Sequence, residues 1–214
     1  MNSDQPKTTL IDLLRHGEAE GGKKYRGVTD DPLTELGREQ MWRAVGEHYP
    51  WRRIITSPLR RCAEFALALS ERAAIPLSQD PAFMGWKFGA WEGKTRTQIM
   101  QTDADALGRF LHDPLQHHPP GGEPLSAIAA RATQAVTDLL REFPGERVLI
   151  VTHSVTMRCV VVAKILNMPL DRVFSIEAGF GAFTRLRFTH ELSGIRGHLL
   201  SHSGSLPETA VRSE

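Results

Sequence analysis

The sequence predicts an α/β fold in three layers, with a mainly parallel sheet between two sets of helices. Three observations carry this expectation. Apolar runs at Thr8 to Leu14, Arg53 to Thr56 and Arg147 to Thr152 alternate with longer stretches of helical period, the pattern of strands joined by crossover helices. Each run stops abruptly at polar or cationic residues, as strands do where a sheet meets a cleft. The chain of 214 residues fits one domain and can bury roughly 70% of its extended-chain surface without a disulfide or metal staple.

In chain order, Thr8 to Leu14 is apolar enough for a central strand. His16 to Leu33 holds Gly17, Gly21, Gly22, Gly27 and Pro32, too much punctuation for a helix. Thr34 suits an N-cap, followed by Glu35 in the first turn and an apolar stripe of Leu36, Met41 and Val45, so a helix is expected to about His48. Arg53 to Thr56 forms the second strand. Ser57-Pro58 then has the form of a cap and a first-turn proline, ahead of the stripe Leu59, Cys62, Phe65-Ala66 and Leu69.

Ile75 to Asp80 is expected as a short edge strand. The segment 81–123 differs in character, with Trp86, Trp91, several glycines, two short helical patterns and Asp113-Pro114. It reads as an excursion that lids one end of the sheet. Pro124 to Phe143 is an alanine-rich helix stopped by Pro144-Gly145. Arg147 to Thr152 is strongly β-branched, and His153 to Asn167 follows as a buried helix. Ala182 to Phe188 and Ile195 to Leu200 alternate as closing strands of hairpin type. One domain is therefore expected over residues 1–200, and the small polar residues 201–214 as a flexible tail.

Composition narrows the function classes. A hydrophobic fraction of 41% and a charged fraction of 24% are ordinary for a globular protein. The formal net charge of +1 gives no general grip on nucleic acid or acidic membranes. No apolar run reaches the ~20 residues of a membrane span, and the N-terminus lacks a basic-then-apolar signal pattern, so the cytoplasm is the expected compartment. Cys62 and Cys159 lie far apart in apolar surroundings and read as buried free thiols. His117-His118 reads as an exposed loop, and His190, His198 and His202 as surface residues.

Three strand ends carry the chemistry: Arg15-His16, Ser57 to Arg61, and His153-Ser154. In a parallel sheet these ends share one edge, which collects two histidines and two or more arginines. A solvated pair is the ordinary reading of Arg60-Arg61, and a locally satisfied polar group that of any single histidine. Together they suit a phosphate dianion. Guanidinium forks match paired phosphate oxygens, and the helix start after His153 offers free amides at Ser154. One imidazole can attack phosphorus to give a phosphohistidine that water hydrolyses, while the other and the arginines stabilise the equatorial oxygens. His16 and His153 lack a third ligand at recognisable spacing, so no metal and no cofactor is expected.

The segments LLRHGEAE, YRGVTDDPLTELGREQ, ITSPLRRCAEFA, FGAWEG and VLIVTHSVTMR, in that order from about Thr8 to Arg158, resemble the histidine phosphatase superfamily, the phosphoglycerate-mutase-like group. Within it, SPLRRC together with FLHDPLQHHPPGGEPL is most similar to the α-ribazole-phosphate phosphatases of cobalamin synthesis. The resemblance implies His16 as the phosphorylated nucleophile, Arg15 and Arg61 as phosphate ligands and His153 as the second pocket histidine. Gly27, Asp30, Leu33, Thr34 and Gly37 match a structural loop-to-helix pattern. It implies a metal-independent phosphatase acting on a small phosphorylated metabolite, with a homodimer among the open oligomeric states.

Two departures stand out. The family pattern His-Gly-Gly is His153-Ser154-Val155 here, which crowds the helix start. The family's general acid, a glutamate three residues before Phe88-Gly89, is Gly85. Glycine has no proton to give, a loss worth on the order of 10²–10⁴-fold for a poor leaving group. Glu18, Glu92 and Glu123 are candidate substitutes or substrate contacts, with Arg26 a candidate contact. Two alternatives stay open: a binding protein for phosphate metabolites, whose turnover Gly85→Glu should raise, and a phosphoglycerate mutase, for which the segment 94–123 is short as an elaborate lid.

Overall fold

The computed structural model describes residues 7–192 and 194–203. Six strands form one sheet in the order β3-β2-β4-β1-β5-β6: β1 Thr8–Arg15, β2 Arg53–Thr56, β3 Leu77–Gln79, β4 Arg147–Thr152, β5 Phe183–Glu191 and β6 Gly194–His202. The first four are parallel, and β5 and β6 close the sheet as an antiparallel hairpin. Helices α1 Glu35–Val45 and α2 Arg60–Ala73 cover one face. The other is covered by α5 Leu125–Glu142 and by α6 Ser154–Cys159, which continues as a π-helical segment Val160–Ile165. This is the three-layer α/β/α arrangement the alternation predicts.

Side-chain alternation decides the layering. In β1, Ile11 and Leu13 join the core beneath α5, while Leu14 joins the core beneath α1 and α2. In β4, Val148 and Ile150 face one way and Leu149 and Val151 the other, as befits a strand buried on both faces. Asp12 is the exception in β1. Its carboxylate takes Arg185 Nε at 2.8 Å, Arg185 Nη2 at 2.7 Å and Trp51 Nε1 at 2.8 Å, all three side chains being buried.

The excursion contains two single-turn 3₁₀ segments, Pro81–Phe83 and Gly89–Trp91, and helices α3 Arg96–Thr102 and α4 Ala104–His112. Its Trp86, Trp91, Ile99, Leu107 and Phe110 form a third core with the start of α5 and with Cys159, Val162 and Val173. The segment is therefore bedded on the sheet's helical layer, with one wall turned to the strand ends.

Several boundaries differ from the sequence reading, each for a local reason. Thr34 does cap α1, its Oγ1 accepting from Gly37 N at 2.9 Å, but Gly46 ends the helix at φ 64°, before His48. Ser57 does not cap α2; Leu59 occupies that position, and Asp30 Oδ1 accepts the Arg60 amide at 2.7 Å. The helix after His153 widens into π geometry, and Asn167 turns left-handed at φ 48°. The hairpin strands are longer than expected, so Ser201 and His202 belong to β6 and not to a tail, and 204–214 lie outside the described residues. His190 and His202 are half-buried and fastened, to Thr9 Oγ1 at 3.0 Å and Thr184 Oγ1 at 2.7 Å. Cys62 and Cys159 are free and buried as predicted.

Candidate active site

Strand register brings the chemistry to one edge. Arg15 lies opposite Thr152 and Thr56 opposite Val151, while His16 N donates to Thr152 O at 3.0 Å. His16 and His153, 137 positions apart in the chain, stand with ring centroids 5.1 Å apart at 63°. Exposure is 7% for His16, 5% for His153 and zero for Arg61, so these polar groups are held by partners rather than by solvent.

Hydrogen bonds assign the tautomers. His16 Nδ1 is 2.7 Å from Gly17 O; a carbonyl only accepts, so Nδ1 carries the proton and Nε2 keeps its lone pair. His153 Nδ1 lies 3.2 Å from Arg61 Nη2, a pure donor, so its proton is on Nε2, which donates to Ser57 Oγ at 2.9 Å. Burial, then the charges of Arg61 and Arg15, hold His16 well below the ordinary imidazole range. Burial, then Arg61 and His16, do the same for His153. Both rings are therefore neutral at neutral pH.

The guanidiniums are braced from behind and left one donor short. Arg61 gives Nη1 to Thr29 O and Nη2 to Gly27 O, each at 2.7 Å. Arg15 donates Nη1 to Ala178 O, lies 4.3 Å from the centre of the Phe180 ring, and is brought down to about 10 by burial, then by Arg158 and Arg61. The Nε atoms of Arg15, Arg61 and Arg158 are all buried without a partner. The charges of Arg158 and Arg61 both act on Arg15, and orphaned cationic donors at such a site call for an anion, because a buried unmade hydrogen bond is costly. Arg158 escaped the sequence reading. Its signal was its place four residues beyond Ser154, one helical turn on.

A cleft of about 600 Å³ opens at this edge, lined by Arg15, His16, His153 and Ser154 on its floor and by Glu18, Arg26, Gly85, Trp86, Phe88 and Phe180 around them. Of the predicted site residues, Arg61 sits just behind this surface. Arg26 reaches the cleft but is engaged, donating Nε to Asp31 Oδ2 at 2.7 Å and Nη2 to Gly22 O at 2.9 Å. Arg60, expected as half of a solvated pair, is the exposed half only, paired with Glu64 at 2.7 Å.

The candidate carboxylates separate sharply. Glu92 is absent from the cleft wall and accepts from the amides of Gly27 at 3.2 Å, Val28 at 3.0 Å, Thr29 at 3.0 Å and Phe88 at 2.8 Å, and from Thr29 Oγ1 at 2.5 Å. Burial alone would raise its pKa, but these donors outweigh it and hold the carboxyl below the usual range. Glu92 is thus a clamp on the loop that receives Arg61. Glu123 is off the cleft too, paired with Arg131 at 2.8 and 3.1 Å, and Arg131 Nη2 in turn holds Gly85 O at 3.0 Å. Glu18 alone among the described carboxylates lines the cleft.

No group of three or more His, Cys, Asp or Glu side chains among the described residues could hold a metal ion. No helix there is long and apolar enough to cross a membrane.

Comparison with known proteins gives this geometry its family. A sequence profile of the histidine phosphatase superfamily (branch 1) matches residues 11–198. The chain belongs to the histidine phosphatase superfamily. It is 30% identical over 185 residues to a bifunctional protein of Mycobacterium tuberculosis (strain H37Rv), covering 83% of this chain but 47% of that protein, so it spans about half that relative's length. It is 30% identical over 183 residues to a glucosyl-3-phosphoglycerate phosphatase of Mycolicibacterium vanbaalenii, covering 79% of each. With an adenosylcobalamin/alpha-ribazole phosphatase of Salmonella typhimurium it shares 27% over 173 residues, 78% of this chain and 85% of that one. Among solved structures, Bacillus stearothermophilus YhfR superposes with a TM-score of 0.82 at 31% identity, over 93% of this chain and 98% of that one. The native mycobacterial glucosyl-3-phosphoglycerate phosphatase gives 0.80 at 27%, over 93% and 100%. The histidine phosphatase fold thus covers nearly all of the described chain.

Proposed function

We propose that the chain is a metal-independent phosphomonoesterase working through phospho-His16. The observation that carries this is the unprotonated Nε2 of His16, fixed by the Nδ1 bond to Gly17 O, near the guanidiniums of Arg15 and Arg61, whose Nε donors are buried and unpartnered. His16 Nε2 forms the bond to phosphorus as the ester P–O bond breaks, and water then cleaves the N–P bond to release inorganic phosphate. Arg15 and Arg61 hold the equatorial oxygens, with the Ser154 amide and hydroxyl at the helix start. His153 hands its Nδ1 to the phosphoryl group once protonated, a change the incoming dianion favours.

For the substrate we favour a small metabolite in which the phosphoryl group is attached to a body with an aromatic ring, α-ribazole phosphate being the leading instance. Phe88, Trp86, Tyr25 and Phe180 around the cleft support this, as does similarity to the Salmonella alpha-ribazole phosphatase. One feature favours a second reading, a phosphate-metabolite binding protein with little turnover: the site of the family's acid is Gly85.

Rapid quench with a labelled phosphoester tests the first reading. The expected result is an acid-labile phosphate bound to protein, absent in His16→Ala. No phosphoenzyme, with His16→Ala as active as the parent, refutes it. A panel of α-ribazole phosphate, sugar phosphates, an aryl phosphate and 3-phosphoglycerate with a bisphosphate primer ranks substrates and separates hydrolysis from mutase transfer.

A further inference from the structure

We propose that Glu18 supplies the leaving-group proton that the residue at position 85 cannot, which rests on the phospho-His16 reading. Glu18 lines the cleft two residues beyond the nucleophile, and its carboxylate has no hydrogen-bond or ion-pair partner among the described residues. Four other carboxylates on the surrounding segments are committed: Glu92 to five donors, Glu123 to Arg131, Asp31 to Lys24 and Arg26, and Asp30 to the Arg60 amide.

The Glu18 backbone is fixed, as a proton donor's must be. Its amide donates to Gln40 Oε1 at 2.8 Å and its carbonyl accepts from Thr34 N at 3.0 Å. Gly17 and Gly37 pack back to back, so that a Cβ on either would lie 2.0 Å from a backbone oxygen of the other segment. That contact welds the turn after His16 to the start of α1. It leaves the Glu18 side chain as the free element.

In the proposed step, His16 Nε2 bonds to phosphorus while the electron pair of the breaking P–O bond passes to the leaving oxygen. The Glu18 carboxyl gives that oxygen its proton, and the alcohol departs. The carboxylate then takes a proton from water, whose oxygen bonds to phosphorus as the N–P bond breaks. The acid is restored and phosphate released. The step requires the carboxyl to enter with its proton.

Leaving-group dependence tests this. The substrates are an alkyl ester (ribose 5-phosphate), phenyl phosphate and 4-nitrophenyl phosphate, with kcat/KM as the readout of transfer to His16. In Glu18→Gln, kcat/KM for the alkyl ester should fall on the order of 10²-fold or more, and that for the nitrophenyl ester by several-fold at most, steepening the dependence. Glu18→Ala should regain alkyl turnover with added formate buffer, which guards against a merely structural effect. An equal loss on all three esters, no loss, or the steepened dependence appearing in Tyr25→Phe instead would overturn the assignment. A parent that forms no phosphoenzyme even from nitrophenyl phosphate would refute the underlying phosphohistidine reading, a distinct result.

Discussion

Restoring the family's acid by Gly85→Glu should damage the site rather than revive it. A Cβ on residue 85 would stand 2.6 Å from Gly27 O, about 0.8 Å short of ordinary contact, and the atom it meets is backbone. Gly27 has little room to yield. Glu92 holds its amide at 3.2 Å, Arg61 holds its carbonyl at 2.7 Å, and a Cβ on Gly27 itself would meet Trp86 O at 1.6 Å. Arg131 pins residue 85 from the other side through its carbonyl at 3.0 Å. Overpacking of this kind costs about 1–3 kcal/mol, or roughly 2–12 °C in Tm for a chain of this size. Because the strip that must move braces Arg61 through the carbonyls of Gly27 and Thr29, phosphate affinity should fall with stability. Thermal melts with and without inorganic phosphate, on Gly85→Ala and Gly85→Glu, measure both. The alanine variant carries the same Cβ without the charge and should show most of the loss. A Gly85→Glu protein that melts with the parent and hydrolyses alkyl phosphates faster would refute the steric argument, together with the need for Glu18.

Other consequences follow from the same geometry. Both histidines are depressed from the ordinary 6.5 and neutral when folded, so their contribution to stability is complete above that pH. It is lost as pH falls toward their folded values, at about 1.4 kcal/mol per pH unit for each. Urea midpoints in phosphate-free buffer should therefore drop between about pH 6.5 and pH 5, with a shallower slope in His16→Asn; a flat profile contradicts the assignment. Burial pushes the thiols of Cys62 and Cys159 up to about 12, so an aromatic disulfide reagent at mildly alkaline pH should label neither until the chain unfolds. Glu92→Gln places an amide donor among five donors and should cost about 2 kcal/mol or more. It should also weaken phosphate binding through Arg61, read by denaturation and by calorimetric titration of phosphate.

What the sequence disclosed and what it withheld follow from the range of the interactions. The strands, the Thr34 cap and the pairing of Arg15-His16 with His153 are written in short-range pattern and in the rule that parallel strand ends share an edge. Ser57 misled because serine before proline has the form of a cap, while its hydroxyl is claimed by His153, 96 positions away. Glu92 stood between an acid and a structural residue of the WEG motif, and the structural reading holds: its partners are mostly backbone amides of residues 27–29, which no side-chain motif announces. Arg158 was passed over because an arginine in a helix ordinarily reaches solvent, and only packing leaves its Nε buried and unpartnered. The Asp12–Arg185 pair joins residues 173 apart and interrupts an otherwise apolar strand, so its partner was not readable either.

The absence of a side chain at position 85 and the tight bracing of Arg61 have a common cause. Arg61 is oriented by Gly27 O and Thr29 O, and those carbonyls are set by Glu92 drawing in the amides of the same residues. Drawing the loop in presses Gly27 onto the backbone at 85 and 86, and that contact tolerates no side chain at either glycine. Tight bracing of Arg61 and a carboxylate at position 85 therefore compete for one space. Glu18 lies outside this competition, since its turn is anchored through Gly17 and Gly37 to α1 and not to the 27–29 loop. A proton donor there can be kept without loosening Arg61, which is why the turn after His16 can carry the proposed acid where position 85 cannot.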